Sequence, residues 1–142
     1  MIFGVGTDIV QIPRIEGLID KYDDAFKNKI LHEAELLLLQ KLPLNKHASF
    51  LAKRFAAKEA VSKALGKGIG RGLKFQDIIV LNNEFGTPYV VINSKNPQDM
   101  GKQQIFLSLS DDYPVAIAFV VIGSKHVIPA TTISVESDVR VV

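Results

Sequence analysis

The chain has 142 residues, 47% of them hydrophobic, 23% charged and none cysteine, which is the composition of one globular domain with no disulfide framework and no thiolate site for zinc or an iron–sulfur cluster. The start, MIFGVGTDIV, lacks the basic segment and long apolar run of a signal peptide, and no stretch reaches the roughly 18 apolar residues of a membrane span, so a cytoplasmic protein with no membrane contact is expected. The net charge of +2 hides an uneven division: Lys/Arg against Asp/Glu run six to seven over residues 1–49, seven to one over 50–74, and four to seven over 75–142.

Residues 2–10 (IFGVGTDIV) are short, β-branched and punctuated by glycine, the pattern of a buried strand that runs into a tight turn ending near Asp8. Pro13, with Ile12, Ile15, Leu18 and Ile19 at helical spacing, predicts a first helix on which Arg14, Leu18 and Lys21 share one face. Residues 23–42 carry a second helical pattern through Phe26, Ile30, Leu31, Ala34, Leu37 and Leu38, which Pro43 ends. The clearest helix is SFLAKRFAAKEAVSKALG, residues 49–66, with Ser49 expected as N-cap and Gly66 as the C-terminal stop. GKGIGRG then reads as a basic turn; it follows a helix and lacks the GxxxxGK[ST] order of a P-loop. The remainder reads as strands: FQDIIVLNN, TPYVVIN after the turn at 83–86, then IFLSLS and VAIAFVVI around Asp111-Asp112-Tyr113-Pro114, with a weak helical segment near 96–104. Early helices and late antiparallel strands make an α+β fold.

The basic segment holds a single acid, Glu59, four residues before Lys63 and so on the same face of the helix, with Ser62 beside them. An i,i+4 pair of this kind is by itself only a solvated helix face. Asp8, following Gly4 and Gly6 at the end of a buried strand, adds a second carboxylate from a separate element. Two carboxylates among the cations Arg54, Lys58, Lys67 and Arg71 match how magnesium takes one or two protein oxygens and completes its octahedron with water and phosphate, while the surplus positive charge holds the remaining phosphates. The alternative for Asp8 is a cap on the following helix. His32, His47 and His126 lie far apart and are expected at the surface; His32-Glu33 lacks the second histidine of a zinc protease motif, and Ser108 and Ser110 have no local histidine to activate them.

GVGTDIVQIPRIE at 4–16 and FLAKRFAAKEAVSKALGKGIG at 50–70 resemble the two signature blocks of the holo-acyl-carrier-protein synthases, the small bacterial 4′-phosphopantetheinyl transferases, and the resemblance extends over residues 2–122. It implies the 4′-phosphopantetheinyl transferase fold, with early helices packed on a mainly antiparallel sheet. The implied activity, part of fatty acid biosynthesis, is transfer of 4′-phosphopantetheine from coenzyme A to a serine of apo-acyl carrier protein, releasing adenosine 3′,5′-bisphosphate. The metal-binding pair of that family falls on Asp8 and Glu59, with Mg2+ as cofactor, and its phosphate-contacting lysine on Lys63. Arg54 and Gly66 match positions near bound coenzyme A, and Asn83, Gly86 and Pro88 match the turn beside the adenine. Carrier-protein docking is implied for the first helix through Arg14, Leu18 and Lys21, and a homotrimer with active sites at subunit interfaces is implied for the assembly. The serine proton could pass to a magnesium-bound water or to the Glu59 carboxylate.

Two departures from the family pattern stand out. Phe106 and Asp111 occupy positions where many relatives carry histidine, and Phe106 can neither hydrogen-bond a phosphate nor relay a proton. The expected division is therefore a transferase domain over 1–122 and a C-terminal extension, 123–142, whose β-prone composition favours an added strand. Two rival readings are a nucleic-acid module, disfavoured by scarce aromatics and by two carboxylates facing a polyanion, and a non-catalytic relative that binds coenzyme A or carrier protein.

Overall fold

The computed structural model describes residues 1–93, 101 and 103–125. In chain order, β1 (Ile2–Gln11) leads into α1 (Ile12–Tyr22), α2 (Asp24–Ile30) and α3 (Glu33–Gln40). A 3₁₀ turn at Leu44–Lys46 then opens the long α4 (His47–Leu65). A second 3₁₀ turn, Phe75–Asp77, precedes β2 (Ile78–Asn82), β3 (Pro88–Ile92), β4 (Gln103–Asp112) and β5 (Val115–Ser124). β1, β5 and β4 form an antiparallel sheet with β5 in the centre, and β2 and β3 form a separate hairpin. The α+β class follows.

Helix α4 is the spine. Its apolar residues do not form one stripe: Phe50, Leu51, Ala52, Ala56, Ala57, Ala60, Val61 and Ala64 are all buried, because the sheet covers one side of the helix and the smaller elements cover the other. The inner face of the sheet supplies Val10, Ala116, Ala118, Val120 and Ile122 to the core, with Ile105, Leu107 and Leu109 packed against it. Gly66, in the left-handed conformation at φ 66°, ends α4 as expected.

Several sequence expectations are corrected. Residues 23–42 form two helices, since Leu31 is extended and His32 caps α3 with its ring while the Glu35 side chain accepts the His32 N–H. Ser49 is not an N-cap: α4 begins at His47, and the Ser49 hydroxyl donates back to the Lys46 carbonyl. β1 does not turn at Asp8 but continues to Gln11, and the cap position of α1 has no side-chain hydrogen bond, so Asp8 does not cap that helix either. Residues 75–77 are a 3₁₀ turn, not strand. In the segment near 96–104, residues 103 and 104 already belong to β4, and 94–100 and 102 lie outside the described residues. His32 and His47 are half-buried structural groups, the latter with Nε2 3.0 Å from the Leu42 carbonyl; His126 lies outside the described residues. β5 carries the sheet through Ser124, two residues past the expected end of the transferase domain, and residues 126–142 of the proposed extension are outside the described residues.

The largest departure concerns Lys58. Instead of lining a phosphate site, its ammonium is wholly buried, 2.6 Å from Glu35 Oε2, and donates as well to the carbonyls of Ile30 and Phe75. Glu35 Oε1 accepts the Val80 N–H. Burial pulls the Lys58 ammonium downward in pKa, opposed by the Glu35 charge and hydrogen bond. With every donor and acceptor occupied, this one pair ties α4 to the end of α2, to α3, to the 3₁₀ turn at Phe75 and to the middle of β2.

Candidate active site

Alternate residues of β1 face α4: Gly4, Gly6, Asp8 and Val10. A Cβ on Gly4 would lie 1.9 Å from the Ala64 carbonyl oxygen, and one on Gly6 would lie 1.9 Å from that of Ala60. Glycine is needed here for space, since neither residue has a positive φ. The strand backbone therefore lies directly on the helix, and the next inward residue, Asp8, comes beside Glu59 and Lys63.

The Lys63 ammonium donates to Asp8 Oδ1 and to the Thr7 carbonyl, both at 2.8 Å. Burial raises the Glu59 carboxyl above the ordinary glutamate range, the Asp8 charge pushes the same way, and Lys63 opposes them. Asp8, Glu59 and Lys63 thus form one electrostatic group, in which Lys63 pairs across to the strand and not along its own helix. Gly66 closes α4 one turn beyond, its N–H bonded to the Lys63 carbonyl.

Arg54 belongs to a second group. Five residues before Glu59, it points roughly 140° around the helix from it. Its guanidinium is buried over the Phe50 ring at 3.9 Å and donates from Nη2 to Asn82 Oδ1 at 2.7 Å. Arg54 Nε is without a hydrogen-bond partner among the described residues. Asn82 in turn donates to the Gly86 carbonyl, while Asn83 Oδ1 accepts the N–H groups of Phe85 and Thr87 and fixes the turn, with Gly86 at φ 80° and Pro88 starting β3. Phe50, Arg54 and Asn82 line a cleft of about 660 Å³ whose lining also includes Lys41, Lys46 and Lys53 and no carboxylate. Lys53 is held at 2.9 Å by Asp111.

Asn82, Lys41, Lys46 and Glu35 were not singled out from sequence. For Glu35 the usable signal was indirect: Lys58 sits in FAAKEA, flanked by alanines that mark a closely packed helix, and a buried lysine requires a carboxylate. On α1, Arg14 and Lys21 are exposed, whereas Leu18 is half-buried against the core, so the face is more basic than apolar.

Residues 4–118, which span both groups, match the model of the 4′-phosphopantetheinyl transferase superfamily. The chain belongs to this superfamily. It is 48% identical to the holo-[acyl-carrier-protein] synthase of Orientia tsutsugamushi (strain Ikeda) over 130 residues, which cover 88% of the chain and 99% of that protein. The crystal structure of holo-[acyl-carrier-protein] synthase from Neisseria meningitidis superposes with a TM-score of 0.79 at 39% identity, covering 87% of this chain and all of that one. The Bacillus anthracis synthase, solved in complex with coenzyme A (3′,5′-ADP), gives 0.76 at 38%, covering 88% and 99%. The chain shares its fold with these synthases.

Proposed function

We infer that the chain transfers 4′-phosphopantetheine from coenzyme A to a serine hydroxyl of apo-acyl carrier protein, releasing adenosine 3′,5′-bisphosphate. The observation that carries this reading is the joining of Asp8 and Glu59 across the Gly4–Gly6 contact, with Lys63 beside them, in a chain of this superfamily.

Mg2+ is the proposed cofactor, with Asp8 and Glu59 as its protein ligands. The donor set fits: two carboxylates repel one another, and among the described residues no cluster of three or more Asp, Glu, His or Cys offers a full protein cage. Two protein oxygens suit an ion that retains waters and phosphate oxygens. When bound, the ion supplies charge neutralisation for the coenzyme A pyrophosphate. Lys63 donates to the transferring phosphate and stabilises charge that develops there. The serine proton passes to the Glu59 carboxylate or to water at the site as the oxygen attacks in line.

The nucleotide end belongs in the cationic cleft. Lys41, Lys46 and Arg54 supply positive charge, and the Asn83–Gly86–Pro88 turn, tied to the cleft wall through Asn82, is the proposed adenine side. Arg14, Leu18 and Lys21 dock the carrier protein, and the assembly is a homotrimer. Its support is the outer face of the β1–β5–β4 sheet, where Val5, Ile9, Phe106, Ile117 and Phe119 are each 41% or more exposed. No helix among the described residues is long and apolar enough to cross a membrane, and the proposed location is cytoplasmic.

Incubation with coenzyme A, magnesium and apo-acyl carrier protein should add the mass of one phosphopantetheine to the carrier in intact-mass analysis. Glu59→Gln should reduce turnover at least about 100-fold. No mass gain, with a competent control enzyme working in parallel, would reject the reading.

A further inference from the structure

Lys63 is held by two protein acceptors although its side chain is 54% exposed. Asp8, its ion-pair partner, is only 17% exposed, whereas Glu59 on the preceding turn has no ion-pair partner among the described residues. The two carboxylates are therefore unequal: one is neutralised by an internal cation and the other is not. The Thr7 carbonyl matters to this asymmetry, because a second acceptor fixes the ammonium on the strand where a lone exposed pair would exchange freely with water.

We propose that Lys63 is a placeholder cation, occupying the Asp8 carboxylate until a divalent metal displaces it and the phosphates of the nucleotide give it a new acceptor. This rests on the reading of Asp8 and Glu59 as metal ligands, and it extends Lys63 from a substrate contact to the residue that couples two binding events. An ammonium and a dication repel one another at a shared carboxylate. Metal alone must evict Lys63 into water, so it binds weakly. Metal with nucleotide moves Lys63 from one anion to another, so each ligand strengthens the other by the same factor. The device keeps the carboxylate pair partly neutralised when coenzyme A is absent and restrains the site from taking up metal before its substrate.

The test is Mn2+ binding, followed by electron paramagnetic resonance of the free ion, on the full chain with and without coenzyme A. Without nucleotide, Lys63→Met should bind Mn2+ about tenfold more tightly than wild type. With coenzyme A that advantage should vanish or reverse, because the variant has no cation to hand to the phosphates. Lys29→Met removes the same charge from the exposed side of α2, outside both groups, and should change Mn2+ affinity less than about twofold. An unchanged or weaker affinity for Lys63→Met without nucleotide, or an equal gain for Lys29→Met, overturns the proposal. Asp8→Asn separates the two layers of the argument. If it retains wild-type Mn2+ affinity, the metal assignment fails and the placeholder with it; if it loses Mn2+ while Lys63→Met matches wild type, the placeholder alone fails. Circular dichroism of each variant checks that the fold is kept.

Discussion

Glu59 is the residue whose function and stability oppose one another. Its carboxyl is raised in the folded chain first by burial and then by Asp8, with Lys63 acting against both. A carboxyl with a folded pKa above its unfolded value binds more protons when folded, so ionising it removes stability. The loss begins as pH rises through the unfolded glutamate value and is complete above the raised folded one. Metal-free Glu59→Gln should therefore melt with wild type in acid, below the unfolded pKa, and above wild type at neutral pH. Thermal melts across pH, in chelator, measure this; a variant less stable than wild type at neutral pH would contradict it. Arg54 and Lys58 show how little residue type alone reveals. In sequence both belong to one basic segment, and in the fold one borders the cationic cleft while the other is sealed against Glu35.

Among elements, the β1–α4 contact matters most. Because a Cβ at Gly6 would lie 1.9 Å from a backbone oxygen, relief requires the strand or the helix to move and not a side chain to rotate. Gly6→Ala should cost at least about 3 kcal/mol in denaturant unfolding and, by separating Asp8 from Glu59, lower kcat in whatever fraction still folds. Helix α1 offers a surface prediction. Arg14→Glu should raise KM for the carrier protein about tenfold or more while leaving KM for coenzyme A within about twofold; equal effects on both would reject the docking face. Element types were largely legible, since alternation and alanine-rich periodicity are local signals. The division of residues 23–42 was not, because Leu31 and Leu38 continue an acceptable helical pattern and the break is made by His32, an uncommon capping residue, with the Ile30 carbonyl taken up by the distant Lys58 ammonium.

At the scale of the molecule, the sheet has two faces of different character. One is filled by α4; the other leaves Phe119 at its centre, 48% exposed, with Phe106, Val5, Ile9 and Ile117 around it. If this face joins three copies, Phe119→Glu should leave the single chain folded but shift sedimentation from trimer to monomer, with activity falling in parallel. A wild-type chain that sediments as a monomer at micromolar concentration would reject the assembly. Phe106 lies on this same apolar face, so its side chain adds packing surface where an imidazole would offer a proton or a hydrogen bond.

The sequence by itself determined the α+β class and the family and singled out Asp8, Glu59 and Lys63 as candidates, because periodicity and signature blocks are written within short stretches of chain. Only the tertiary structure decided which charges are available. Whether a lysine lies in a core, on a carboxylate or at the border of a cleft depends on contacts between elements far apart in sequence, and desolvation at each place changes what the same ammonium can do. The net charge of +2 and the basic run at 50–74 thus resolve into a buried cross-brace, a cationic cleft and one lysine resting on Asp8.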